Sequence, residues 1–453
     1  MVCVITGVEE FDVDVHGLRS LARWIAVSGL HSASLKSCNL GAGALRQLAT
    51  PLATSSLTNL DLSNNYLVSG TTDKAIDIEG FSQVCRAVGA SQIKHWDISG
   101  MRGVASSQSA HWPMLLASLV SWKTCRLQVL TLDSTGVDGA PKVYVLDTNL
   151  DTLSLEGCHL GPVDLRVLSA WLTIPMVQEK LSAIVLSDNP LTGGAQNDAG
   201  SVGSDVTGVR HLFIAIAQCD AIADLTMINC GLGSATSAAF GDAFRPEQPS
   251  TTRVPPSITM DQNPLSGSSI SAAAASSDEM TYDQDLMSFE SYLGACGGGV
   301  TRLSLAGCHL GPMAMTELGV FIDESKSIHS VKIDGNPLSG SVLDKYGDLA
   351  EADLDLSGLE LLCSCISSSQ LGEHCLAFSS RFAARVLLTI CSRLLSSVDQ
   401  HAVVLSWKEC ARSSNAELRR RSSYQGGLPL RQPRSCRHTV FKWGAQNCGY
   451  QSA

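Results

Sequence analysis

The sequence predicts an α/β repeat solenoid, one strand-and-helix unit copied down most of a 453-residue chain. Three observations carry that prediction. Each copy holds apolar residues at positions 1, 4, 6 and 11 of a strand-and-turn pattern. Two kinds of copy alternate, one with Cys and one with Asn at position 9. The links between them repeat apolar residues in steps of three and four, which places those residues on one face of a helix.

The Cys kind comprises Leu30-Ala33-Leu35-Cys38-Leu40, Leu150-Leu153-Leu155-Cys158-Leu160, Ile222-Leu225-Met227-Cys230-Leu232 and Val300-Leu303-Leu305-Cys308-Leu310. The Asn kind comprises Leu57-Leu60-Leu62-Asn65-Leu67, Leu181-Ile184-Leu186-Asn189-Leu191, Ile258-Met260-Asn263-Leu265 and Ile328-Val331-Ile333-Asn336-Leu338. Two degenerate copies, Ile93-Trp96-Ile98-Met101 and Leu127-Leu130-Leu132-Thr135-Val137, complete an alternation of ten strands. Chance produces apolar matches in any sequence, but it does not alternate two kinds in order.

After Cys strands the helical faces are Leu45, Leu48 and Leu52; Leu165, Leu168 and Leu172; and Met315, Leu318 and Ile322. After Asn strands come a short turn, a variable loop and a helix predicted to start at an Asp. Asp77, Asp205 and Asp355 open these helices, since a carboxylate there accepts the unpaired N–H groups and complements the dipole. Asp14, Val15, Leu18, Leu21 and Ile25 repeat this helix ahead of Leu30. The chain therefore opens inside a repeat, and is expected to continue a longer array or to be capped by a partner.

An eleventh strand due at Leu371 fails, with His374 at a core position and Ser379 in place of Cys. The expected organisation is a repeat array over 1–370, a capping helix region over 371–411 built on Phe382 to Trp407, and a basic, disordered tail over 412–453. Charge follows this division. Residues 1–370 carry 20 Lys+Arg against 39 Asp+Glu, a balance of −19, whereas 371–453 carry 12 against 4, a balance of +8. An acidic body excludes nonspecific binding of nucleic acid or anionic membrane, leaving only the tail for such contacts. Within the tail, Arg419 to Ser423 read as a solvated basic run.

Residues Met1 to Glu10 lack a basic and apolar leader, and no long uncharged apolar run appears. Sixteen cysteines in 453 residues fall far below the roughly 8–10 per cent of a disulfide scaffold. With no N-x-[ST] sequon, a reducing compartment fits, so the expected location is cytoplasmic, with the nucleus left open.

The stretch Leu57 to Leu67, together with the Cys/Asn alternation, resembles the ribonuclease-inhibitor-like subfamily of leucine-rich repeat proteins, as in the C-terminal repeats of NLR receptors. The resemblance covers roughly residues 14 to 370. It implies a horseshoe, with a parallel β-sheet on the concave face and helices on the convex face. The family includes inhibitors, immune sensors, activators of the Ran GTPase and actin regulators, so the resemblance does not choose a function.

Cys38, Cys158, Cys230 and Cys308 occupy the inward position of their repeats and read as packing residues rather than as a metal ladder. Cys363 and Cys365 form a C-x-C without a second pair at zinc spacing. His159 and His309 recur through repeat homology in C-H-L-G-P segments. No phosphate loop, zinc-binding helix, nucleophile elbow or dinucleotide loop is present in the sequence, so no catalytic, cofactor or metal site is assigned. The informative positions flank the core residues of each strand. There stand Asp61, Asp97, Asp133, Glu156, Asp188, Asp261 and Asp334, against only Lys36 and Lys332. This points to an interaction protein or scaffold that holds a basic protein partner on an acidic concave face. Two alternatives stay open: a regulator of a small GTPase resembling the Ran activator, and a detached ligand-sensing end of an NLR-type receptor.

Overall fold

The computed structural model describes residues 16–68, 77–102, 111–136, 140–193, 205–245, 253–267, 283–340, 355–368 and short strand segments at 342–343, 349–351, 375–377, 404–406 and 440–441. It forms two compact units, Met1–Pro255 and Pro256–Ala453.

In the first unit, helix α1 (His16–Val27) leads into strand β1 (Ser32–Ser34), α2 (Ala42–Thr54), β2 (Asn59–Asp61), α3 (Glu79–Ala90), β3 (His95–Asp97), α4 (His111–Leu119) and β4 (Val129–Asp133). Strands β1 to β4 pair in parallel, with Ala33, Leu60, Trp96 and Leu130 in one register row. These are the fourth positions of the sequence pattern, and the last three are buried. Both degenerate copies are therefore true strands. Trp96 fills the inward site usually given to leucine and stacks on Phe81 of α3 at 6.4 Å.

The expected chain of parallel strands is then interrupted. Strand β5 (Val143–Asp147) runs antiparallel to β4 as a hairpin, with Leu132 opposite Tyr144 and Thr131 opposite Val145. A second parallel ladder follows: β6 (Thr152–Ser154), β7 (Ala183–Val185) and β8 (Asp224–Thr226), aligning Leu153, Ile184 and Leu225. Around it lie α5 (Pro162–Trp171), α6 (Pro175–Lys180), α7 (Thr207–Ile216) and α8 (Ser234–Ala243).

The second unit repeats the plan with β9 (Ser257–Thr259), α9 (Leu286–Cys296), β10 (Arg302–Ser304), α10 (Pro312–Glu324), β11 (Ser330–Lys332), a small antiparallel pair β12 (Val342–Leu343) and β13 (Leu349–Glu351), and α11 (Ser357–Ser368). Ile258, Leu303 and Val331 share its register row. The ladder does not end at Gln370. Strand β14 (Cys375–Ala377) adds in parallel to β11 with Leu376 opposite Val331. The fourth position thus falls on Leu376, two residues beyond the expected His374, which itself lies outside the described residues. Strand β15 (Val404–Ser406) pairs with β14, and β16 (Val440–Phe441) with β15. The expected capping helix over 382–407 ends on a strand at β15, and its remainder, like most of 412–453, lies outside the described residues. So do Asp14, Val15 and Val137.

The Cys/Asn alternation has a specific physical cause. Asn65, Asn189 and Asn336 each reach back to the preceding Cys repeat. Asn189 donates through Nδ2 to Leu155 O and Leu186 O, both at 2.8 Å, while Leu160 N donates to its Oδ1 at 2.9 Å. Asn65 and Asn336 make the same set. The Cys repeat returns a simpler version. The Cys230 thiol donates to Leu186 O and the Cys308 thiol to Met260 O, each at 3.2 Å. Burial pushes both thiols up to about 12, so they stay protonated donors. Cys38 in the turn after β1 and Cys158 in the turn after β6, whose strands have no preceding partner in their ladder, are exposed and half-buried.

The helices after Asn strands start two residues beyond the expected Asp. Asp205 Oδ1 accepts from Thr207 N and Thr207 Oγ1, and Asp355 accepts likewise from Ser357. Three residues beyond each of these Asp stands a glycine packed against backbone. A Cβ on Gly80, Gly208 or Gly358 would come within 1.9, 2.0 or 1.7 Å of the carbonyl oxygen of Ala42, Pro162 or Pro312. Those residues begin α2, α5 and α10, on which α3, α7 and α11 pack. Among the described residues, no helix is long and apolar enough to cross a membrane.

Candidate partner-binding face

In β2 and β3 only the middle residue is buried, while the two flanking residues face outward. This alternation puts Ser34, Asp61, Asp97 and Thr131 in one row across β1 to β4, with Asp61 directly beside Asp97. Adjacent strands lie about 4.8 Å apart, so the two carboxylates are close neighbours.

Serines hold both in place. Asp61 Oδ1 accepts from Ser63 N at 2.9 Å and Ser63 Oγ at 2.6 Å, and Asp97 Oδ1 accepts from Ser99 N at 2.9 Å and Ser99 Oγ at 2.7 Å. Ser34 Oγ adds a bond to Asp61 Oδ2. Partial burial works against ionisation of Asp61, but the Ser63 and Ser34 bonds and the nearby Lys36 charge outweigh it and hold the carboxyl below its ordinary value.

Asp133, at the end of β4, is half-exposed and accepts from Met101 N at 3.0 Å. It ties down the preceding repeat, while its own copy carries Thr135 in place of Asn at position 9. Glu156 is exposed in the turn after β6. Asp188, also exposed, follows β7 with φ at 56° and accepts from Asn229 Nδ2 at 2.7 Å. The same left-handed turn geometry is taken by His159 and His309, each at φ 56°, which accounts for their recurrence as turn residues.

The other two expected residues lie in the second unit. Asp261 is buried and fully engaged: it accepts from Ser304 Oγ at 2.6 Å and Ala306 N at 2.9 Å, and pairs with Lys332 Nζ at 3.3 Å. Asp334, after β11, is half-buried. The structure thus gathers Asp61, Asp97 and Asp133 on one sheet and sets Glu156 and Asp188 on the ladder that follows. It gives Asp261 a structural role, which the alternation of side chains alone does not reveal.

Sequence reasoning missed the hairpin strand. Val143, Val145 and Asp147 share the outward face of β4–β5, opposite Asp133, Thr131 and Val129. Val143 is 56 % exposed and Val145 42 %. The signal was the period-2 run Val143-Tyr144-Val145-Leu146, with Tyr144 and Leu146 buried. The described residues of β1 to β5 hold four Asp and neither Lys nor Arg.

Among the described residues, no three His, Cys, Asp or Glu side chains gather in a way that could hold a metal ion. Cys365 is half-buried, and the side chain of Cys363 lies outside the described residues. In the first turn of α5, Asp164 is buried and accepts from Gly161 N at 2.8 Å, Thr135 N at 3.1 Å and Thr135 Oγ1 at 2.5 Å. Desolvation still prevails over these bonds and raises its carboxyl to about 6.

No family model matches the chain. Among solved structures it is similar to the leucine-rich repeat-containing protein LegL7 from Legionella pneumophila, at 13% sequence identity and a TM-score of 0.32, covering 84% of this chain and 95% of that one. So low a score carries no weight for fold or site. The fold class stands on the ladders themselves: a mixed α/β chain of parallel strands and helices.

Proposed function

We propose that the chain is a ribonuclease-inhibitor-like leucine-rich repeat protein of horseshoe form, and that it binds a basic segment of a protein partner on its acidic strand face. The observation that carries this reading is the placement of Asp61 beside Asp97, with Asp133 on the next strand and no Lys or Arg among the described strand residues of that sheet. Like charges directly opposite each other on neighbouring strands destabilise a sheet. A basic segment laid across them relieves that repulsion, and the opposed potentials steer its approach. Asp261 takes no part, because Lys332 already pairs with it.

The test replaces Asp97 by Asn, Asp133 by Asn and Glu156 by Gln in one variant. Amides keep an acceptor oxygen toward Ser99 and Met101, so the fold is expected to persist while the charge is removed. Partners captured by the wild-type chain at about 0.05 M salt are expected to be lost by the variant and released near 0.5 M, where the Debye length falls below roughly 5 Å. A partner retained equally by both chains at both salt concentrations would refute the acidic face.

A further inference from the structure

We propose that the outer edge of β5 takes up an extended segment of that partner as an added strand, one that alternates basic and apolar residues. This rests on the acidic-face reading above and names the form in which the partner is held.

The hydrogen-bond register of the hairpin sets the edge. Ser134 N donates to Lys142 O and Thr148 N to Gln128 O, each at 2.8 Å, so the even-numbered residues of β5 face β4. Val143 and Val145 therefore turn their N–H and C=O groups away from β4. The sheet ends there, in the order β1 to β5, and β6 opens another ladder. Among the described residues no backbone group bonds these four donors and acceptors. Bare edges of this kind are normally protected by charge, proline or cover. Here Pro141 and Lys142 guard one end, with Lys142 Nζ donating to Gly157 O at 2.6 Å, but the two residues with free backbone groups are exposed valines.

Main-chain bonding supplies affinity in such an addition, and alternate side chains supply selectivity. An added strand would lay every second side chain beside Val143, Val145 and Asp147, one strand further from Asp133. In an alternating segment the lysines or arginines share this face, their stems along the valines and their charges toward Asp147 and Asp133, while the apolar residues fall on the opposite face with Tyr144 and Leu146. The same geometry disfavours a second copy of this chain, since pairing two β5 edges brings Asp133 and Asp147 of one toward those of the other.

The experiment uses the full chain and a fluorescent peptide of alternating lysine and valine, with binding read by anisotropy at low salt. Val145→Pro removes an edge N–H that makes no bond to β4, so the hairpin is retained; it is expected to weaken binding about tenfold or more, a peptide bond's worth of pairing. A peptide of the same sequence N-methylated at every second residue is expected to lose binding to the unaltered chain, and this arm decides the outcome should Val145→Pro fail to fold. Val145→Thr, which leaves the backbone intact, is expected to bind within a few-fold of wild type. If Val145→Pro and the methylated peptide both bind as the unmodified pair does while Asp97→Asn with Asp133→Asn weakens binding, the edge proposal falls and the acidic face stands. If charge neutralisation also has no effect, both fall. If the chain alone dimerises in sedimentation and Val145→Pro abolishes the dimer, the occupant is a second copy and the proposal is overturned.

Discussion

Alanine at Gly208 tests how the helices of neighbouring repeats are spaced. The added Cβ would sit 2.0 Å from Pro162 O, 2.6 Å from its carbonyl carbon and 2.7 Å from its Cα. All three atoms are backbone at the first turn of α5, so no side chain can rotate away. Relief requires α7 to retreat by more than about 1 Å from α5, loosening Val209, Leu212, Phe213 and Ile216, which are fully buried. Overpacking of this kind costs about 3 kcal/mol, the upper end of the usual range, because main chain meets main chain. Against it stands a gain of at most about 1 kcal/mol from alanine's preference for helix over glycine. The net loss is about 2 kcal/mol, which for a unit of this size lowers Tm by roughly 4–8 °C. Gly17 is the internal control. It occupies the equivalent position in α1 but has nothing within 4 Å of its would-be Cβ. Gly17→Ala is expected to raise Tm slightly. Thermal melts followed by circular dichroism decide the matter: a Gly208→Ala chain that melts at or above the wild-type temperature would refute the close-approach account.

Three further outcomes are expected. Leu186→Asp, at a fully buried site, forfeits about 1.5–3 kcal/mol of burial and adds the larger cost of a buried charge, so unit 1 should lose its cooperative melt; a native-like profile would remove Leu186 from the core. Asn189→Ala strands Leu155 O, Leu186 O and Leu160 N and should cost about 3 kcal/mol in denaturant titration, with a loss below about 1 kcal/mol counting against the back-bonding role of the Asn. Asp164 has a folded value of about 6, above its ordinary 3.8, so its charge penalises the folded state above pH 6. Stability should therefore rise by up to about 3 kcal/mol as pH falls from 6 toward 4, where the folded state holds a proton the unfolded chain has released. Asp164→Asn should remove that part of the pH dependence, and identical slopes in melts at successive pH values would show that Asp164 is not its source.

The ten expected strands, their fourth-position core residues and the Asp-led helices were all legible in the sequence. Each depends on spacing within one repeat: a buried row needs its apolar residue at the same place in every copy, and Asn65, Asn189 and Asn336 recur because each bonds the copy before it. The outward direction of Asp61 and Asp97 follows from strand alternation in the same way. What only the tertiary structure decided depends on which surfaces meet. A template of positions 1, 4, 6 and 11 passes over Val143 to Leu146, because an antiparallel strand obeys a period of two and owes its place to the neighbouring β4. Asp261 reads as an outward acid until Lys332, 71 residues away in sequence, is found against it. Gly80, Gly208 and Gly358 look like ordinary helix residues until the carbonyl groups of Ala42, Pro162 and Pro312 are found where their side chains would be. Local periodicity specifies how each repeat folds, whereas the distance between separate backbones, set only on packing, determines which of its charges and edges remain available to a partner.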